Sequence, residues 1–317
     1  MIQTTLKAVL GTAAALGLAM SAPASAADSE ACKTVRFSDV GWTDITATTA
    51  TASVVLEALG YEPDVQVLSV PVTYRSLKNK DIDVFLGNWM PTMEADIAPY
   101  REDGSVEDLG VNLEGAKYTL AVPQYTHDAG LQNFADIAEF KDQLDSKIHG
   151  IEPGNDGNRL ILDMIDKDTF GLGGFELVES SEQGMLSAVA RAERGKEHIV
   201  FLGWEPHPMN ANFDIAYLEG GDAVFGPNLG GATVHTNVRA GYVEECPNVG
   251  QLLKNLKFSL AMENEIMSAI LDDGAQPNDA ARAWLQQNPD VLDNWLEGVT
   301  TFDGGDAAAA VKEALGA

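Results

Sequence analysis

Apolar positions in this chain fall into short unbroken runs that alternate with stretches of helical spacing. Residues 35–37 read as a strand, and residues 46–59 place apolar side chains at helical intervals until Gly60 closes the run. Residues 65–70 and 82–86 read as further strands with a short helix over 74–78 between them. The alternation then resumes. Strands are predicted at 118–122, 147–151 and 199–202, and helices at 137–144, 159–165 and 181–192. Such alternation implies a mostly parallel sheet covered on both faces. A polar, glycine-rich stretch at 220–231 reads as a crossing point. Beyond it the pattern is helical, at 249–256, 261–271, 279–285 and 291–296, with Asn288-Pro289-Asp290 as a break before the last.

The first residues stand apart from this pattern. Lys7 precedes an apolar run over 8–20, and Ala24-Ser25-Ala26 supplies the small residues that a signal peptidase accepts. The run is too short for a bilayer, which needs roughly 20 residues. No cysteine stands at the cleavage point to take a lipid. A signal peptide over 1–26 and a soluble exported chain starting near Ala27 are therefore expected. Export in turn favours pairing the two cysteines, Cys32 and Cys246, in an oxidising compartment. The 317 residues carry 20 Lys+Arg against 48 Asp+Glu, a net charge of −28, which leaves no basic footprint for nucleic acid. With 45 % apolar residues, the chain can fill two domains or one large one.

One internal echo bears on chemistry. Val84-Phe85-Leu86-Gly87-Asn88-Trp89 is matched by Val200-Phe201-Leu202-Gly203-Trp204, so two buried-type strands each end in a glycine and then a tryptophan. Trp42 sits in a third loop after a strand. Ligands of open α/β sheets bind outside the carboxyl ends of the strands. An isolated strand-end tryptophan is ordinarily a packing residue, but the repetition favours a cleft. Trp42, Trp89 and Trp204, with Tyr118 as a fourth face, form a box suited to a quaternary ammonium ion, held by cation–π attraction of roughly 0.5–2 kcal/mol per face. Sugar stacking is the rival use, and the tryptophan loops offer few polar partners for ring hydroxyls. Asp44 is either a solvated surface acid or the counter-charge to that cation. Asn155, in the Gly-rich loop 152–158, is either a helix cap or a hydrogen-bonding partner for the ligand's polar end.

Catalytic chemistry finds little support. The chain has no Gly-x-Ser-x-Gly elbow, P-loop, dinucleotide fingerprint or His-Glu-x-x-His motif. The histidines are dispersed, and His207 is expected to shape a loop at the cleft edge rather than to act as a base. No catalytic residue, metal or cofactor is expected.

The segments Val40-Gly41-Trp42-Thr43-Asp44, Asp81 to Trp89, Glu152 to Asn158 and Phe201 to His207 resemble the periplasmic choline-binding proteins of bacterial ABC importers. These belong to a wider group of glycine betaine, carnitine and choline substrate-binding proteins. The resemblance implies an α/β, two-lobe periplasmic substrate-binding protein fold of type II with a ligand cleft between the lobes. Lobe one would comprise 27–112 plus 223–317, and lobe two 113–222. It implies that Trp42, Trp89, Tyr118 and Trp204 surround a trimethylammonium head, with Asp44 beside it and Asn155 on the ligand hydroxyl. Cys32 and Cys246 match that group's disulfide. The expected partners are choline, with acetylcholine held more weakly, and a membrane permease. The chain would act as a periplasmic monomer and not as an enzyme. A betaine or broader quaternary-amine binder, or an enzyme acting on such an amine, are the alternatives. Asp44 would repel a betaine carboxylate, which favours choline.

Overall fold

The computed structural model describes Met1 and residues 28–316, so the leader read in 1–26 lies outside the described residues. Nine strands are described: β1 (Thr34–Asp39), β2 (Glu62–Val67), β3 (Val84–Met90), β4 (Val106–Pro123), β5 (Lys147–His149), β6 (Glu176–Val178), β7 (Phe201–Glu205), β8 (Ile215–Tyr217) and β9 (Gly231–Arg239). They form one sheet in the order β2-β1-β3-β9-β4-β7-β5-β6, with β8 beside β4. The alternating pattern is realised at both ends, where β1 runs parallel to β2 and β3, and β5 parallel to β6 and β7. The middle differs. Two long strands, β4 and β9, run antiparallel to each other and join the two parallel groups. The first half of β4 pairs with β9, and its second half with β7 and β8.

These joining strands escape the hydrophobic pattern for physical reasons. Register shifts between Asp108 and Val111, Val111 and Leu113, and Leu113 and Ala116 break the period of two in β4. As a result β4 begins twelve residues before the expected 118. In β9, which falls in a stretch expected to be helix-rich, buried polar residues take the place of apolar ones. Asn112 Nδ2 donates to Leu86 O at 2.9 Å and to Thr236 Oγ1 at 3.1 Å, and Tyr74 OH donates to Asn237 Oδ1 at 3.2 Å. The crossing thus adds buried polar contacts to its apolar row of Leu113, Ala116, Val234 and Val238.

Six helices position the site and its frame: α1 (Thr43–Ala58), α2 (Asp156–Asp166), α3 (Glu182–Gly195), α4 (Pro247–Asn255), α5 (Leu260–Leu271) and α6 (Pro277–Gln287). Helix α1 starts at Thr43 rather than at 46, which places Asp44 in a helical first turn instead of a loop. It packs against both α5 and α6 and is buried on nearly every side. Alanines and threonines make that possible, because they are small and the hydroxyls of Thr48 and Thr51 bond back to the carbonyls of Ile45 and Ala47. The glycines of the internal echo have a matching cause. A Cβ on Gly87 would lie 2.7 Å from Ile45 Cγ1 of α1, and one on Gly203 would lie 2.9 Å from Ala121 Cβ. Each glycine lets a neighbour press onto the strand just before its tryptophan.

The start of the described chain is tied to the segment that returns after β9. Cys32 and Cys246 form a disulfide with their Cα atoms 5.7 Å apart. Asp28 accepts the N–H groups of Asn248 and Val249 at 2.8 and 3.0 Å, capping the first turn of α4 from a distant part of the sequence. Opening the bridge in a Cys32→Ser/Cys246→Ser protein is expected to lower unfolding free energy by about 2–5 kcal/mol, because it frees a very long loop in the unfolded chain. Urea unfolding measures this. Midpoints that coincide with and without the bridge would mean that the Asp28 cap and the surrounding packing hold the termini by themselves.

Candidate ligand-binding site

The carboxyl ends of β1, β3, β5 and β7 converge on one small cavity. All six residues singled out by the sequence line it: Trp42, Asp44, Trp89, Tyr118, Asn155 and Trp204. Ile151 and Asp156 complete the lining, and neither is expected as a wall from the residues alone. Asp156 could have been found by its place: it begins α2 directly after Asn155, where any ligand at the helix start must meet it.

Three aromatic walls are contiguous. Tyr118 and Trp204 stand opposite each other on β4 and β7, with ring centroids 6.3 Å apart and planes at 79°. Trp89 approaches Tyr118 from β3 at 5.9 Å. Trp42, at the cap position of α1, closes a further side, and its indole N–H donates to Glu152 Oε1 at 2.7 Å. In both echo segments the tryptophan is followed by one residue and a proline in a cis peptide, Met90–Pro91 and Glu205–Pro206.

Asn155 takes the first of the roles open to it, that of a helix cap. Its Oδ1 accepts the N–H of Asn158, so it caps α2, and also accepts the Tyr118 hydroxyl at 3.0 Å. Its Nδ2 donates to Asp156 Oδ1 at 3.1 Å, and an amide nitrogen carries a second hydrogen that remains for a ligand. Asp156 Oδ2 is buried without a partner. Burial pushes the Asp156 carboxyl up to about 6.

Asp44 is the electrostatic centre. Only 1 % exposed, it accepts the Trp89 indole N–H through Oδ2 at 3.0 Å, while Oδ1 has no partner. The first turn of α1 favours a negative charge there, by typically 0.3–1 kcal/mol. Burial outweighs it. Desolvation first, and then repulsion from Glu182, push the Asp44 carboxyl up to about 8. Glu263 on α5 is also raised, by burial and then by Asp44 itself. Desolvation likewise raises Glu152 to about 7. None of the eight residues lining the cavity is basic. The site therefore presents acidic groups and π faces with no cation of its own, an arrangement that stabilises a compact permanent cation.

Comparisons with known proteins agree with this chemistry. Residues 33–287 match the model of the substrate binding domain of ABC-type glycine betaine transport systems. The chain is 72 % identical to an ABC-transporter choline binding protein solved in complex with choline, covering 91 % of this chain and 100 % of that one, with a TM-score of 0.90. Against an ABC-transporter choline binding protein in an unliganded semi-closed conformation, identity and coverage are the same and the TM-score is 0.84. The glycine betaine/carnitine transport binding protein GbuC of Listeria monocytogenes is 35 % identical over 130 residues, 41 % of this chain and 42 % of that protein.

A proton balance follows from Asp44. At pH 7 a carboxyl with a pKa of about 8 is mostly protonated, and a permanent cation favours its ionised form. Tetramethylammonium, which has no proton to give, should therefore expel one on binding. Its affinity is expected to rise from pH 6 to pH 8, by up to about tenfold per unit, and then level off. Asp44→Asn should flatten most of that slope. Calorimetry in buffers of different ionisation enthalpy counts the protons. A heat independent of buffer, with affinity constant from pH 6 to 9, would mean that Asp44 is already ionised in the empty cleft.

Proposed function

This chain belongs to the family of substrate binding domains of ABC-type glycine betaine transport systems, and from that premise we propose that it captures choline outside the cytoplasmic membrane and delivers it to the importer's permease. The observation that carries the reading is the cavity itself, four aromatic faces around an unpaired, buried Asp44 with no basic residue in the lining. A trimethylammonium group cannot donate an N–H bond, so it needs π faces and a nearby negative charge. The hydroxyl end of choline can accept from the free N–H of Asn155 and donate to the unpartnered Asp156 Oδ2. A betaine carboxylate would lie between Asp44 and Asp156 with no Lys or Arg in the lining to meet it. The choline complex of a chain 72 % identical supports the same ligand.

Capture requires that the lobes part and close. We place the hinge in the two joining strands. Lobe one holds 27–112 and the C-terminal part, and lobe two starts at 113. The return crossing lies in β9, near Ala232 to Val234, later than residue 223. Phe225 supports this placement, since it still packs on Phe134 and Tyr118 at centroid distances of 5.8 and 5.9 Å. Trp42, Asp44 and Trp89 then belong to lobe one, and Tyr118, Asn155 and Trp204 to lobe two. Neither lobe holds a complete site, so the ligand favours the closed state through its contacts with both. No described helix is long and apolar enough to cross a membrane, and the disulfide suits an oxidising compartment outside it. The chain acts by binding alone, and the permease supplies transport.

The test is a titration with choline and glycine betaine, together with mass spectrometry of the recovered ligand. One intact choline should bind per chain and exceed betaine in affinity. Trp204→Ala should cost both ligands about 1–3 kcal/mol, since it removes contact with the head that they share. Asp44→Asn should weaken choline and narrow the choline-to-betaine ratio. A betaine affinity above that of choline, or a product accumulating over time, would overturn the reading.

A further inference from the structure

Glu182 lies outside the cavity lining, yet more hydrogen bonds meet on it than on any group in the aromatic box. It is 3 % exposed and opens α3 in lobe two. Its Oε2 accepts the backbone N–H of Thr43 at 2.9 Å, and its Oε1 accepts the Thr43 hydroxyl at 2.5 Å. Thr43 is the first residue of α1 in lobe one, and its neighbours in sequence are Trp42 and Asp44. The N-termini of two helices from opposite sides of the cleft therefore meet at one carboxylate, and both favour its negative charge.

The Gln183 amide also donates to Oε1 at 3.3 Å, and a further contact of Glu182 leads back to the site. His207 Nε2 lies 3.2 Å from Oε1. His207 Nδ1 accepts the N–H of Met209 at 2.9 Å, so in a neutral ring the proton is assigned to Nε2, facing Glu182. The same ring packs edge-on against Trp204, with centroids 5.0 Å apart and planes at 70°. Thr43, Glu182, His207 and Trp204 thus form a continuous chain from one wall of the box to the other. Two further ties cross the cleft: the Trp42 indole N–H donates to Glu152 Oε1 at 2.7 Å, and Arg159 pairs with Asp96 at 2.7 Å, partly exposed on both sides.

We propose that Glu182 is a positioning residue that latches the closed cleft, joining the Trp42–Asp44 segment of one lobe to the Trp204 wall of the other without touching the ligand. The inference deepens the choline reading and rests on it. Opening the lobes would separate Thr43 from Glu182 while leaving the Glu182 bond to His207 intact, so the latch acts on the closed state and on ligand escape. Ligand entry, which precedes closure, does not depend on it.

Glu182→Gln keeps the size but presents an amide N–H₂ to a surrounding set of donors. Stopped-flow tryptophan fluorescence should show choline leaving Glu182→Gln about ten- to a hundredfold faster than the parent, with the on-rate within about threefold. Thr43→Val, which loses only the hydroxyl, should speed escape by a smaller factor, and should add little in the Glu182→Gln background, because the bond that it removes is already broken. An off-rate within twofold of the parent in Glu182→Gln, or factors that multiply in the double variant, would overturn the latch. The parent's own titration with choline decides the functional reading separately. Should the parent ignore choline, nitroxide labels at Val67→Cys and Leu162→Cys, both exposed, still judge the latch through the distance between them. Glu182→Gln should shrink the short-distance population, and identical distributions would overturn the proposal.

Discussion

An ionised carboxylate taken out of water is costly unless something positive meets it. Asp44 would be such a group if it were ionised, and no basic residue lines the cavity to meet it. The Trp89 indole N–H and the first turn of α1 offset only part of the cost, which is why burial still lifts the Asp44 carboxyl to about 8. Within the choline reading, the remainder is what the ligand satisfies. A permanent cation restores the charge balance that folding left open, and the aromatic faces hold it without needing a hydrogen bond from it.

The rest of the architecture can be read as the frame that delivers this group and its walls to one point. Each aromatic wall comes from a different strand or the loop after it, and the strands that carry Tyr118 and Trp204 pair directly, so those two faces are set by sheet register. Glycines precede Trp89 and Trp204 because a helix residue in one case and a neighbouring strand in the other press against the backbone there. The joining strands are built differently, with register shifts and buried amides alongside their apolar residues.

Much of this was legible in the residues. The strand, glycine and tryptophan echo was visible because packing at the strand and binding at its end constrain adjacent positions, which leaves a compact signature. Five of the six site residues could be named since each sits at or beside a strand-to-helix junction, and such junctions are the most readable points of an α/β chain, whereas Tyr118 lies inside β4. The joining strands were not legible. Bulges erase the period of two in β4, and Thr236 and Asn237 replace apolar residues in β9. Glu182 and His207 were also unreadable in the contacts they make. Each acquires its role from a partner far away in sequence, as when Thr43 meets Glu182, and local composition carries no trace of such a meeting. The expected loop position of Asp44 failed for the same reason. Trp42 gives α1 no side-chain cap of its own, and the cap that lets the helix begin at Thr43 comes from the other lobe.

The central claim is that the cavity is selective for positive charge and not merely for the shape of three methyl groups. The most direct measurement is a calorimetric comparison of choline with 3,3-dimethyl-1-butanol, in which a neutral carbon replaces the nitrogen and the outline is kept. Attraction to π faces and to a desolvated carboxylate should make choline bind tighter by about a hundredfold or more. Affinities within a few-fold of each other would contradict the account, because they would mean that apolar contact alone fills the box and that Asp44 plays no part in recognising the ligand.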